Sequence, residues 1–209
     1  MNQASGIEPM QETVHAAGKE DELDQARAQE YALLARLLAR SPDAPMIARL
    51  VGLGGDATPL GLAHAALGQA AARAGPEQVD REYVELFAGL GQNGLLPYAS
   101  HYRTGALYGR PLAQLRDDLQ RLGIERTAGD SEPEDHAAIL LEIMAGLAGG
   151  QIGAPPGTDR DFFEQHLAPW IGRFFADLAQ VKSAEFYASV GALGRIFIEI
   201  ETEAFTLPA

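Results

Sequence analysis

Apolar residues recur along this chain three and four apart, and no stretch alternates in the manner of a strand. Tyr31, Leu34 and Leu38, with Leu33 and Leu37 beside them, mark a first helix over 26–39, which Ser41-Pro42 ends. A short helix follows over 45–51, closed by Gly52, Gly54 and Gly55. Thr58-Pro59 reads as an N-cap with proline at the first helical position, opening an alanine-rich helix. Gly75-Pro76 interrupts it, and Val79, Tyr83, Leu86, Phe87 and Leu90 stripe the next helix. Leu112, Leu115, Leu119 and Leu122 stripe another, stopped by Gly123. Thr158 caps a helix with an inner face of Phe163, Leu167, Trp170, Phe174 and Leu178; His166 shares the face of Trp170, and Pro169 should kink the helix near Gln165. Ser183 caps the last helix, where Phe186, Val190, Leu193, Phe197, Ile200 and Ala204 keep the rhythm and Glu199, Glu201 and Glu203 face solvent. The pattern predicts an all-α fold: a single compact bundle of roughly eight helices. Its two halves, 25–122 and 131–209, meet at a polar hinge near 123–132.

The most apolar helix sits at the centre of that scheme. Ser131 reads as its N-cap, with Glu134 at capping-box spacing and Pro133 in the first turn. Ile139, Leu140, Leu141, Ile143, Met144 and Leu147 follow, with Glu142 as the only charge, so the helix should be buried. His136 shares a stripe with Leu140, Ile143 and Leu147, and Asp135 stands beside it. Two readings stay open. Asp135 caps backbone amides and His136 is a core residue; or the pair forms an acidic pocket with a titratable imidazole on its wall.

Composition narrows the chemistry. No cysteine is present, which removes disulfides, thiol nucleophiles and thiolate metal sites. Sixteen basic against 29 acidic residues give a formal charge of −13, which disfavours nucleic acid and anionic membranes and favours basic partners. No apolar run reaches the roughly 18 residues of a membrane span. Residues 1–24 are acidic and lack the basic start and apolar core of an export signal, so they are expected to be a disordered tail on a cytoplasmic protein. A di-metal bundle site needs inward Glu-x-x-His pairs. The only such pair is Glu12 to His15, in the tail. There is no phosphate-binding glycine loop and no Gly-x-Ser-x-Gly elbow, so neither a metal nor a cofactor nor enzyme activity is expected. The segment 88–100 is too rich in glycine, asparagine and proline to be helical, yet it carries Leu90, Leu95, Leu96 and Tyr98. Such apolar groups are either buried or meet a partner. With the acids nearby, the surface suits a peptide receptor.

Three blocks carry a family resemblance. Tyr83-Val84-Glu85-Leu86-Phe87 followed by Leu96-Pro97-Tyr98-Ala99-Ser100-His101-Tyr102 resembles the first signature of the TorD/DmsD/NarJ chaperones. Glu132-Pro133-Glu134-Asp135-His136 resembles their second, and His166 to Trp170 with Phe174 a later segment. The single Pro97, and Tyr98 where tryptophan is common, depart from the pattern. The resemblance implies an all-helical cytoplasmic chaperone without enzyme activity, monomeric or exchanging halves through the hinge. It would bind the basic twin-arginine leader of a molybdoenzyme catalytic subunit of the dimethyl sulfoxide reductase superfamily, with a likeness to members associated with formate dehydrogenases, and support cofactor insertion before export. Paired arginines followed by an apolar stretch call for carboxylates beside a greasy groove. The implied leader-binding residues are Asp135, His136, Glu132, Pro133, Leu96, Tyr98, Tyr102 and Tyr83. The alternative is a nucleotide-binding protein or small enzyme using the Asp135–His136 pocket, with Arg103, Arg110 or Arg126 as the cations.

Overall fold

The computed structural model describes residues 8–88, 94–125 and 132–207. Among them the regular elements are helices: α1 Glu8–Ala39, α2 Ala44–Val51, α3 Pro59–Phe87, α4 Ala99–Thr104, α5 Arg110–Arg121, α6 Ala137–Ala148, α7 Thr158–Phe162, α8 Ile171–Ala179 and α9 Glu185–Thr206. The one β-type pairing described is an isolated antiparallel bridge between Tyr98 and His136. No helix among the described residues is long and apolar enough to cross a membrane.

Packing follows the predicted stripes. Helix α6 lies along α1, α8 along α9, α3 against α9 and α2 against α3. Tyr31, Leu34 and Leu38 of α1, Leu140, Leu141 and Met144 of α6, Phe174 and Phe175 of α8, and Phe186, Val190 and Leu193 of α9 are all buried in one core. Fully burying a side chain of this size contributes roughly 1.5–3 kcal/mol. Thr58 caps α3 as expected, its Oγ1 accepting from Gly61 N–H at 3.1 Å. Gly75 breaks α3 internally at φ 68, a conformation open to glycine, before Pro76 resumes it. Pro169 lacks an N–H, and the turn before it widens to a π-helical segment over Phe163–Leu167, with Ala168 N–H reaching Phe163 O at 2.8 Å. His166 and Trp170 form the expected core pair: the indole N–H donates to His166 O at 2.7 Å.

Five boundaries or exposures differ from the sequence reading. Helix α1 begins at Glu8, well before residue 26. Helix α9 is capped by a distant side chain: Glu82 Oε2 accepts from Phe186 and Tyr187 N–H, so Ser183 is not needed. Thr158 is the first residue of α7, and its hydroxyl donates to Pro155 O. Glu201 is buried and Ile200 is 42% exposed, the reverse of expectation, because Glu201 continues the Val190–Phe197 face and meets Arg27 there. The central helix starts at Ala137, capped by the His136 imidazole. Ser131 and most of the hinge lie outside the described residues, as does Leu90. Residues 132–136 are not its first turn, because His136 is extended (φ −67, ψ 139) and pairs with Tyr98.

Candidate functional site

The site is built where two non-helical segments cross. Leu95 N–H donates to Leu86 O at 2.8 Å, pinning the segment after α3 to that helix's last turn. Two residues on, the chain pairs with the start of α6. Ala137 N–H donates to Pro97 O at 2.7 Å, and Ala99 N–H donates to Asp135 O at 2.9 Å. The proline-interrupted stretch thus finds in residues 135–137 the backbone partners it cannot make within a helix.

Asp135 is 1% exposed. Its Oδ2 accepts from Ser100 N–H at 2.8 Å, capping α4, whose own N-cap residue Tyr98 offers no side-chain bond. Its Oδ1 is buried and has no hydrogen-bond partner. A buried carboxylate oxygen left unpaired is costly. Arg116, whose field reaches Asp135, is bonded to Glu134 instead, through Nε and Nη2 at 3.0 and 2.8 Å.

His136 Nδ1 accepts from Ala138 N–H at 3.1 Å, so the ring proton sits on Nε2. Burial lowers its pKa, against the opposing fields of Glu132 and Asp135, and the ring is neutral at pH 7. Tyr98 meets it edge-on at 5.1 Å between centroids and donates its hydroxyl to Glu132 Oε2 at 2.5 Å. Burial, and then that bond, push the Tyr98 phenol well above its usual value.

Five of the implied residues therefore share one place: Glu132, Pro133, Asp135, His136 and Tyr98. Leu96 is 39% exposed, and its carbonyl accepts from Tyr98 N–H at 2.8 Å. Tyr102 stands one turn beyond Tyr98 but points toward α8: its hydroxyl donates to Asp177 at 3.1 Å and its ring packs on Trp170 and Phe174. Tyr83 lies against Phe87 and Tyr187 and donates to Ala39 O at 3.0 Å; burial, and then the field of Glu132, raise its pKa. Of the arginines considered for a nucleotide, Arg103 faces the π-helical turn through Gln165 O, and Arg126 lies outside the described residues.

Two residues at the site were not among those implied to bind the leader. Ser100 is fully buried; its N–H holds Asp135 and its Oγ accepts from Tyr108 N–H at 3.0 Å. Tyr108 is the one non-glycine at positive φ (68°) among the described residues, and it is 58% exposed. Holding a non-glycine there costs on the order of 1–2 kcal/mol. The flanking Gly105 and Gly109, both at positive φ, were the available signal.

A second polar cleft, of about 430 Å³, opens between α5 and the π-helical turn. His166 Nε2 and Asp118 Oδ2 meet there at 2.8 Å, and Arg121 also pairs with Asp118. Burial, with Arg103 and Arg121, lowers His166 to about 4, so it is a neutral donor to the carboxylate.

The two signature segments of the resemblance meet at this crossing, on an all-helical fold. Residues 54–176 match the nitrate reductase delta subunit family, and the chain belongs to it, with the TorD and DmsD chaperones. The chain is 32% identical over 127 residues to the chaperone protein TorD of Vibrio cholerae serotype O1, covering 56% of this chain and 58% of that one. It is 28% identical over 119 residues to a DmsD Tat proofreading chaperone of Haemophilus influenzae, covering 56% and 57%. The chain thus spans less than two thirds of the length of these relatives. A crystal structure of a redox enzyme maturation protein from Archaeoglobus fulgidus superposes with a TM-score of 0.55 at 20% identity, over 83% of this chain and 93% of that one, which shows the shared fold.

Proposed function

We propose that the chain is a maturation chaperone for a molybdoenzyme, one that binds the twin-arginine leader of the enzyme's catalytic subunit at the crossing of residues 95–102 and 132–136. The observation that carries this reading is the junction itself. Two segments distant in sequence are zipped by backbone bonds, and the junction presents Tyr98, Glu132 and Leu96 over a buried, half-paired Asp135. The family membership supports the same reading.

Each group has a physical task. Glu132 offers charge to a leader arginine, and charge-assisted bonds of this kind are worth roughly 1.5–3 kcal/mol. Asp135 adds negative potential from below and holds α4 through Ser100. His136 keeps a neutral ring against Tyr98 and fixes the start of α6. Leu96 and its neighbours receive the apolar stretch. A receptor that must release its client works at about micromolar affinity, near −8 kcal/mol. The formal charge of −13 favours encounter with a basic peptide. Calorimetric titration with a synthetic peptide of two adjacent arginines followed by a leucine-rich stretch tests the reading. Binding near the micromolar range that weakens with added salt supports it; no binding at tenfold higher concentration rejects it.

A further inference from the structure

Tyr108 presents a contradiction in stability terms. Its backbone is held in a left-handed conformation that glycine would adopt without strain, and the residue is 58% exposed, so burial does not compensate. Glycines already stand at positive φ on either side, at 105 and 109, so the turn is built from residues that tolerate this geometry except at this position. What fixes Tyr108 there is a bond from its N–H to the Oγ of the fully buried Ser100, the residue whose own N–H holds Asp135. A short relay therefore runs from the buried carboxylate through Ser100 to the strained residue. Ser100 lies two residues after Tyr98, whose hydroxyl bonds Glu132, so Tyr108 is tied to the segment that carries the Tyr98–Glu132 pair. Leu107, just before it, is another exposed large apolar residue.

Resting on the leader-binding reading above, we propose that Tyr108 is a specificity-determining residue of that site, its exposed ring stacking on a guanidinium of the client peptide beside the Glu132 carboxylate. The surroundings select that occupant. The segment that Tyr108 is tied to carries two carboxylate contacts, Ser100 N–H to Asp135 and the Tyr98 hydroxyl to Glu132, so the junction favours a cation. A planar cation gains from an aromatic face and from a carboxylate together. The bond to Ser100 fixes the Tyr108 backbone before the peptide arrives, so less backbone entropy is lost on binding.

The test crosses two proteins with two peptides. Wild type and Tyr108→Gly are each titrated with the Arg-Arg peptide and with a peptide carrying Gln-Gln in its place, and each protein is melted. Tyr108→Gly is expected to melt at or above the wild-type temperature, since the strain is relieved, and to bind the Arg-Arg peptide about tenfold more weakly. The Gln-Gln peptide, weaker with both proteins, should show no further loss. Tyr108→Phe should bind within about twofold of wild type, because the ring is retained. Equal binding of the Arg-Arg peptide by wild type and Tyr108→Gly overturns the proposal, as does an equal loss with both peptides. A lower melting temperature for the glycine variant also overturns it, since the ring would then be serving the fold. If wild type itself does not bind the Arg-Arg peptide, the leader-binding reading fails and this proposal falls with it, a result distinct from the others.

Discussion

Asp135 and Glu201 are both 1% exposed, yet they are treated in opposite ways. Glu201 meets Arg27 through three hydrogen bonds of 2.9–3.2 Å and takes a fourth from the Tyr31 hydroxyl at 2.8 Å. Arg27 is anchored in turn by Asp24 and Asp159, so α1, α7 and α9 are tied at one point. Asp135 has one backbone bond and one oxygen with none. Burial alone therefore does not distinguish a structural acid from a functional one. The degree of satisfaction separates these two. A carboxylate whose oxygens are all paired is fulfilling a role in the fold, whereas one left half-paired beside a half-buried tyrosine and an exposed glutamate is held in a state that folding does not reward.

The largest effect expected from this contrast is at Glu201. Glu201→Gln removes the charge that offsets a largely buried guanidinium and should destabilise the protein by about 3 kcal/mol in urea unfolding. Peptide affinity, corrected for the folded fraction, should stay the same. A comparable loss of affinity would show that the two acids are not separate in role.

Acid should separate the regions next. The His166 ring faces Asp118 in the cleft beside α5, and burial, with Arg103 and Arg121, lowers it to about 4 when folded, against an ordinary 6.5. The unfolded chain therefore binds the proton first, and the contribution of His166 to stability is lost as pH falls from about 6.5 toward 4. His136 is lowered too and acts in the same direction, whereas Glu30 raises His64, which favours the fold below about 6.5 and loses that benefit as pH rises. His166→Gln should therefore flatten the acid limb of a melting-temperature profile while leaving peptide binding at pH 7 within about twofold. An unchanged limb would place the acid sensitivity elsewhere.

The all-helical fold could be read from the sequence because the stripes that bury Leu34, Leu140, Phe174 and Val190 are local and periodic. The break at Gly75-Pro76 and the distortion before Pro169 were legible for the same reason: each rests on a single residue's backbone. The start of α6 was not. Ser131 and Glu134 spell a capping box, but the Tyr98–His136 pairing is a long-range contact that no local rule contains, and it overrides the cap. The burial of Glu201 was hidden likewise, since only its partner on α1 makes an inward carboxylate tolerable. The juxtaposition of residues 95–102 with 132–136 came from the family blocks. The roles of Ser100 and Tyr108 depend on backbone geometry and were not visible in residue spacing.

A smaller effect sharpens the contrast at its surface. Tyr98→Phe deletes the hydroxyl that donates to Glu132 but keeps the ring on His136. Stability should change by about 1 kcal/mol or less, and peptide affinity by a few-fold, as Glu132 loses the donor that orients it. A change in stability several times larger would make the Tyr98–Glu132 bond a fold element instead.

The measurement that bears most directly on the central claim is a calorimetric titration of the Arg-Arg peptide into Asp135→Asn, run beside its thermal melt. Asparagine keeps an acceptor for Ser100 N–H and supplies an amide where Oδ1 now has no partner, so little but the charge is removed. We expect an unchanged or slightly higher melting temperature with peptide binding weakened by about tenfold or more. Full-strength binding by this variant, with its fold intact, would contradict the account.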